Sequence, residues 1–361
     1  MQRSGEALDW NQLFPPGEPV IALPNWQRPR LLLSARGLSR RWCGSGFYPA
    51  HRFAARAYKW MLRAGAAAGL GEVRRATGTR WALEEFLAGV VENPQPPVVQ
   101  IGVACAAHKW TLRITDCSGD IAAYIKWGSN SSAQKRLENE YKILSALPKG
   151  FGPRPMKFGP LSDGFGLCIE PLCGMPMSSN RGAWPLGTQW QKMLADFLER
   201  LCLHTPLPVD SHPAFSRLAC NAPRPVLDWI DRLRARPWPV VIQHGDLAPW
   251  NLIRPSSASP HSNLMALDWE FGSLTGGAYF DAAYYALQIA SLIDRLDPTS
   301  ALQYAVGELT RNPWPLLTSS EAEAITALTA YESWQAALTD GDSPEEPQQK
   351  WQRAIWDRRP G

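Results

Sequence analysis

The sequence predicts an α+β chain in which a small antiparallel sheet precedes a mainly helical half. Residues 98–127 fall into short apolar or alternating runs, split by the turn Asp116-Cys117-Ser118-Gly119-Asp120, as strands of a meander do. Residues 188–204 place Trp190, Met193, Leu194, Phe197, Leu198, Leu201 and Cys202 on one face of a helix, at the i, i+3, i+4, i+7 spacing that a buried stripe requires. Between these halves and the C-terminus, the apolar run Val240-Val241-Ile242 delivers the chain into His244-Gly245-Asp246.

Bulk properties narrow the possibilities. At 361 residues the chain is long enough for two or three compact units. No apolar run approaches membrane-spanning length, and Glu6 and Asp9 stand where a leader would be basic and then apolar, so a soluble, cytoplasmic protein is expected. The seven cysteines are odd in number and include no CxxC pair, which argues against a zinc site or a disulfide framework. The six histidines show no HExxH spacing. Charge is unevenly spread: residues 1–95 carry a balance of +6, and Asp268 to Glu346 a balance of −11. Such a split bears on partners and not on fold.

In chain order, Pro15, Pro16, Pro19, Pro24 and Pro29 break the first thirty residues into turns and extended pieces. Leu31-Leu32-Leu33 reads as a short buried strand. His51 to Leu70 reads as a helix with Phe53, Ala57, Trp60, Met61 and Ala64 on one face, and Trp81 to Val90 as a second, shorter helix. Asn93 to Pro97 is a linker. Residues 1–97 are thus expected as an accessory region. Its basic residues (Arg28, Arg30, Arg36, Arg40, Arg41, Arg52, Arg56, Lys59, Arg63) are either a solvated face or a contact for a phosphate-bearing or protein partner. No zinc-finger, RNA-binding or helix-turn-helix signature accompanies them, so nucleic acid is not the expected partner.

The strands Val98–Val103, Trp110–Ile114 and Ile121–Trp127 follow. The small residues after Gly102 would let backbone N–H groups approach phosphate oxygens, although a plain hairpin has the same composition. Lys126 sits inside the apolar run Tyr124-Ile125-Lys126-Trp127. The next helix, Ser131 to Leu147, carries Leu137, Tyr141, Leu144 and Leu147 on its stripe with Glu140 beside it. A helix from Val226 to Arg236 leads toward the His-Gly-Asp run. Beyond it, Leu252–Arg254 and Leu264–Leu267 read as a hairpin, Ala282–Ile293 and Ser320–Leu338 as helices. The latter has a capping-box start at Ser320-Glu321-Ala322-Glu323. Residues 343–361 read as a loosely tethered polar tail.

Asp246, Asn251 and Asp268 are the chemistry-bearing set. Each follows or ends a short apolar run, a stiff place to hold a reacting group. One carboxylate can orient an attacking hydroxyl, while an amide and a second carboxylate can share Mg2+.

His244-Gly245-Asp246-Leu247-Ala248-Pro249-Trp250-Asn251, with Leu267-Asp268-Trp269-Glu270, resembles the catalytic and metal-binding loops of the aminoglycoside phosphotransferase and choline kinase family, relatives of the protein kinases. The resemblance extends over residues 98–340. It implies a protein-kinase-like two-lobed fold, with an N-lobe and hinge at 98–172, a helical C-lobe at 173–342, and ATP and Mg2+ as cofactors. The implied reaction moves the γ-phosphate to the hydroxyl of a small molecule. Asp246 would accept that hydroxyl's hydrogen bond, His244 would position the loop, and Asn251 and Asp268 would hold Mg2+. Lys126 would contact the α- and β-phosphates, steadied by Glu140, with Glu138 as rival. Gly102 would open the phosphate-facing turn. Glu170 to Leu172 would form the hinge, with Leu172 as the adenine donor because Pro171 has no N–H. Asp281 would brace the catalytic loop or cap a helix. Glu270 would point away from Asp268 on an extended strand.

The sequence departs from the family where Leu247, Ala248 and Trp250 stand, and Trp250 is expected to pack behind the loop. An amino sugar, an amino alcohol or a glycan precursor is the implied acceptor class, and the −11 balance suits a cationic one. A catalytically silent ATP-binding scaffold and a nucleotidyl transferase on the same fold are the alternatives.

Overall fold

The computed structural model describes residues 10–48, 53–102, 108–176, 188–203, 205–255, 264–311 and 316–358. The chain divides into two compact units, Met1–Tyr141 with Arg154–Pro171, and Lys142–Pro153 with Leu172–Gly361.

The first unit is built on one sheet of eight strands. In chain order these are β1 (Pro19–Leu23), β2 (Leu31–Ser34), β3 (Val73–Arg75), β4 (Val98–Ile101), β5 (Trp110–Thr115), β6 (Ile121–Gly128), β7 (Pro155–Leu161) and β8 (Gly164–Ile169). Their spatial order is β3-β1-β2-β4-β5-β6-β8-β7, and every pairing is antiparallel. Helices α1 (Leu38–Ser45), α2 (Phe53–Ala67), α3 (Ala82–Leu87) and α4 (Ser131–Ala146) accompany it.

The expected meander is present as β4-β5-β6. Residues 1–97, expected as an accessory region, supply three strands to the same sheet, with Leu31–Leu33 registered against Gln100–Val98. Alternation explains this. Val20, Ala22 and Leu32 face a core that includes Leu13, Leu83 and Phe86, while Ile21, Leu23, Leu31 and Leu33 face another with Val98 and Ala66. Full burial of each leucine is worth about 1.5–3 kcal/mol, which a free-standing β2 would forfeit.

The two helices expected in residues 51–90 are α2 and α3. The apolar side of α2 is not its buried side: Trp60 and Met61 are 58% and 62% exposed, and Ala66 takes the core position. Trp60 instead lies tilted beside Trp42 of α1, with the Arg63 guanidinium over both rings. The helix expected from Trp81 to Val90 stops at Leu87, ahead of Gly89 at φ +79.

The second unit is mainly helical. It contains β9 (Gly174–Pro176), α5 (Thr188–Glu199), α6 (Pro213–Ala219), α7 (Arg224–Asp231), β10 (Val240–Gln243), β11 (Leu252–Pro255), β12 (Met265–Ala266), β13 (Ser273–Gly277), α8 (Phe280–Gln288), α9 (Pro298–Thr310), α10 (Ser319–Thr339) and α11 (Pro347–Trp356). α10 is its axis. Ala322 and every residue from Ala324 to Tyr331 are buried, and small Ala and Thr side chains let neighbours approach on all sides. The buried hydroxyls of Thr326 and Thr329 donate to the carbonyls one turn back. Its cap is Thr318, which makes a full capping box with Glu321. The start expected at Ser320 is displaced by two residues, because Thr318 and Glu321 offer the same spacing two residues earlier.

The expected polar tail is also corrected. Residues 347–356 form α11, and Ile355 and Trp356 are buried in the core of this unit. Trp229 donates from its indole to the Trp356 carbonyl at 3.0 Å. Trp351, Ile355 and Trp356 are the apolar stripe that the surrounding Gln, Arg and Pro residues obscure.

Candidate active site

The site in the second unit begins where β10 ends. Gly245 has φ +79, and a Cβ there would overlap the Phe271 carbonyl, so both conformation and space call for glycine. His244 is fully buried. Its Nδ1 accepts the Asp246 N–H at 3.2 Å, and its Nε2 lies 2.7 Å from the Leu267 carbonyl. A carbonyl can only accept, so the proton is on Nε2 and the ring is the neutral tautomer. His244 therefore ties the loop of Asp246 to the residue preceding Asp268.

Leu267 completes the knot by donating its N–H to the Asn251 carbonyl at 2.8 Å. Asn251 is buried, and its Nδ2 donates to the Asp246 carbonyl at 2.9 Å and to Asp246 Oδ2 at 3.1 Å. Asp246, Asn251 and the approach to Asp268 are thus one hydrogen-bonded neighbourhood.

Asp281 braces the same loop from α8. Its Oδ2 accepts the His244 N–H at 2.6 Å and its Oδ1 accepts the Gly245 N–H at 2.9 Å. Burial pushes its carboxyl up to about 7, against the two backbone hydrogen bonds that pull it down. The sequence left bracing and helix capping open for Asp281, and its hydrogen bonds run to the loop backbone.

Asp268 adopts left-handed backbone angles, φ 63 and ψ 56, and the chain then turns through a 3-10 segment at Trp269–Phe271. The expectation that Glu270 points away from Asp268 on an extended strand is therefore replaced: there is no strand at that position. A non-glycine residue held in this region carries backbone strain, which Asp tolerates better than most. Trp250 is half-buried.

Tyr284 was not legible from the sequence as a site residue. Its hydroxyl donates to Asp246 Oδ1 at 2.6 Å. Only its place on α8, one turn beyond Asp281, could have pointed to it.

Among the described residues, no three or more His, Cys, Asp or Glu form a group that could hold a metal ion. What Asn251 and Asp268 offer is an amide oxygen and a carboxylate. Such a donor set fits a hard cation completed by phosphate oxygens and water, the way Mg2+ is commonly held, and not a self-sufficient protein cage.

In the first unit, Lys126 on β6 places Nζ at 2.6 Å and 2.9 Å from the two carboxylate oxygens of Glu140 on α4. Glu140 is fully buried, while its rival Glu138 is exposed. Gly102 follows β4, and a Cβ there would overlap the Lys109 carbonyl. The small residues expected to face phosphate, 103–107, lie outside the described residues. Glu170 spends its carboxylate on Arg154, accepting the backbone N–H at 3.0 Å and pairing with Nε at 3.4 Å. Leu172 is half-buried in the second unit.

No protein-family model matches the chain, and no curated protein matches it in sequence. Solved structures do match. The chain is similar to a thermostable mutant of the aminoglycoside phosphotransferase APH(4)-Ia in ternary complex with AMP-PNP and hygromycin B, at 10% identity and TM-score 0.50, over 78% of this chain and 97% of that one. An ethanolamine kinase of Plasmodium vivax matches at 13% identity and TM-score 0.44, over 72% and 81% of the two chains. A putative fructosamine-3-kinase of Haemophilus somnus matches at 14% and 0.43, over 76% and 95%. The α+β fold is that of the protein-kinase-like phosphotransferases. Within that class the chain has the fold of the aminoglycoside phosphotransferase. Among the described residues, no helix is long and apolar enough to cross a membrane.

Proposed function

We propose that this chain is an ATP- and Mg2+-dependent phosphotransferase whose acceptor is a hydroxyl of a small molecule: an amino sugar, an amino alcohol or a glycan precursor. The observation that carries the reading is the arrangement of Asp246. Its carboxylate is held by the Asn251 amide on a loop whose backbone is fixed by Asp281 and His244.

Phosphoryl transfer asks for alignment and charge neutralisation more than covalent help. In this reading Asp246 accepts the hydrogen bond of the acceptor hydroxyl and aims its oxygen at the γ-phosphorus. The acceptor O–P bond forms, the bond from γ-phosphorus to the β,γ-bridging oxygen breaks, and Asp246 takes the hydroxyl proton. Asn251 Oδ1 and the Asp268 carboxylate would hold Mg2+, which neutralises phosphate charge when bound. Lys126, kept in place by Glu140, is the cation for the nucleotide phosphates. His244 acts on geometry alone, since both of its ring nitrogens are used on backbone groups.

The test is ATP consumption against a panel of amino sugars, amino alcohols, nucleosides and glycans, with labelled ATP. γ-Phosphate on one acceptor supports the proposal. AMP on the acceptor makes the protein a nucleotidyl transferase, and nucleotide binding without turnover makes it a scaffold.

A further inference from the structure

Residues 19–71 contain nine Arg and Lys and no Asp or Glu. This stretch includes α1 and α2, and the structure turns an apolar face of that pair outward. Ala57, Trp60, Met61 and Ala64 of α2 recur at i, i+3, i+4 and i+7 and are all exposed, while Ala66 faces the core. Trp60 lies beside Trp42 of α1 with ring centres 5.6 Å apart. Leu38, 65% exposed, stands one turn before Trp42 on the same side of α1. Leu70, 67% exposed, follows α2 and donates its N–H to the Gly65 carbonyl at 2.9 Å. A single exposed leucine is ordinary, but a continuous outward stripe marks a surface that something covers.

Cations flank the stripe and keep their charge. Arg56, Lys59 and Arg63 follow one another along one side of α2. The Arg63 guanidinium lies 4.3 Å and 5.0 Å from the Trp42 and Trp60 ring centres and donates to the Trp42 carbonyl at 3.4 Å. Arg113 of β5 is used in the same way, donating to the Cys43 carbonyl at 2.9 Å and lying over the Phe47 ring. Rings and carbonyls orient a guanidinium without cancelling its charge. Burial, then the charges of Arg63 and Arg113, hold the Lys59 ammonium below its ordinary range, as an excess of like charge does.

The partner of this face must offer hydrocarbon and negative charge side by side. Nucleic acid brings phosphates and bases that stack on an indole, but no hydrocarbon to cover Leu38, Met61 and Leu70. A second copy of the chain would bring the same positive charge to the same face. The surface of an anionic bilayer has acyl chains beneath a layer of phosphates, and Trp favours that boundary. We propose that the outward face of α1 and α2 docks this chain on a bilayer surface rich in anionic lipid. Trp60, Met61 and Leu38 enter the boundary between headgroups and acyl chains, and Arg56 and Lys59 meet the phosphates. At 15 residues α2 is too short to span a bilayer, so it lies along the surface. The inference is independent of the phosphotransferase reading.

The experiment is co-sedimentation of the full chain with vesicles of phosphatidylcholine alone and of phosphatidylcholine with about 30% phosphatidylglycerol, at low and physiological ionic strength. Binding to the anionic vesicles is expected to exceed neutral binding at least about tenfold and to weaken with salt. The double variant Trp60→Glu/Met61→Glu is expected to lower it at least about tenfold, and Arg56→Gln about fivefold. Leu292→Glu, at a position 51% exposed in the second unit, is expected to bind like the wild type. All four positions are exposed, and circular dichroism with the thermal midpoint verifies that each variant is folded. Equal binding to both vesicles, or binding to neither, overturns the proposal. So does anionic binding that the double variant retains, which would make it an effect of bulk charge. A dimer in sedimentation velocity that the double variant turns into monomers assigns the face to a second copy instead. A duplex oligonucleotide bound more tightly than the anionic vesicles assigns it to nucleic acid, and either result overturns the proposal.

Discussion

Lys126 Nζ lies between the two carboxylate oxygens of Glu140, 2.6 Å from one and 2.9 Å from the other, with Glu140 fully buried. Two opposite charges taken out of water roughly offset each other's desolvation, but removing one strands the other at a cost of about 3–5 kcal/mol. Glu140→Leu and Lys126→Met should each lower stability by that order, while the double variant should return toward the wild type. Urea unfolding of the four proteins checks this as a double-mutant cycle. Purely additive losses would mean the pair is not coupled. Under the proposed function, nucleotide affinity should stay low in the double variant even as stability recovers, because Lys126 is absent.

The roles proposed for the two aspartates separate in a binding measurement. Asp246→Asn should abolish phosphate transfer and leave affinity for Mg-ATP within about threefold, since Asp246 acts on the acceptor. Asp268→Asn should weaken Mg-ATP binding itself, since half of the donor set for the cation is lost. Titration calorimetry with a non-hydrolysable ATP analogue at fixed Mg2+ checks both. Equal loss in the two variants contradicts the division of labour.

What the sequence disclosed here follows from how local the signal is. His244, Asp246 and Asn251 fall within eight residues, and Asp268 ends the next apolar run, so motif spacing together with the family resemblance singled them out. Glu140 was preferred over Glu138 by its place before the apolar end of its helix, and it is Glu140 that meets Lys126. Tyr284 lies 38 residues beyond Asp246 and carries no motif. Only the fold brings its hydroxyl to Asp246. Strands β1–β3 were missed as members of the main sheet because an edge does not name its partner in sequence. The exposure of Trp60 and Met61 on α2 was not legible because a stripe of Ala, Trp and Met reads as apolar whether or not anything covers it.

Asp281 supplies a pH test. Its carboxyl is pushed from an ordinary 3.8 up to about 7 by burial. A carboxyl whose folded-state pKa is raised binds its proton more tightly when folded, so its contribution to stability is largest below about 4 and is lost as pH rises toward 7. Ionised, however, it accepts the N–H groups of His244 and Gly245 on separate oxygens, whereas a protonated oxygen would present a hydrogen to one of them. Acidification below 7 should therefore raise this group's share of stability and lower turnover. The stability difference between wild type and Asp281→Asn should shrink from pH 5 to pH 7 by at most about 1.4 kcal/mol per unit. Urea midpoints across that range check the sign, and a difference that grows with pH would show that the hydrogen bonds outweigh burial.

Gly245 and Gly89 share the same backbone angle, φ +79, but differ in surroundings. A Cβ at Gly89 meets nothing within 4 Å, while one at Gly245 overlaps the Phe271 carbonyl next to the turn that follows Asp268. Gly89→Ala should therefore cost only the left-handed penalty of about 1–2 kcal/mol and leave turnover unchanged. Gly245→Ala carries the same penalty plus a backbone clash that is relieved only by moving the loop or the Phe271 peptide. Because Asp281 holds the Gly245 N–H and His244 holds the Asp246 N–H, such a shift carries Asp246 with it. Effective molarity from alignment falls steeply with displacement, and about 1 Å can cost on the order of 100-fold in rate. Stability and turnover measured side by side on both variants check this. Comparable turnover in Gly245→Ala and Gly89→Ala would mean that Asp246 keeps its aim without the fixed loop.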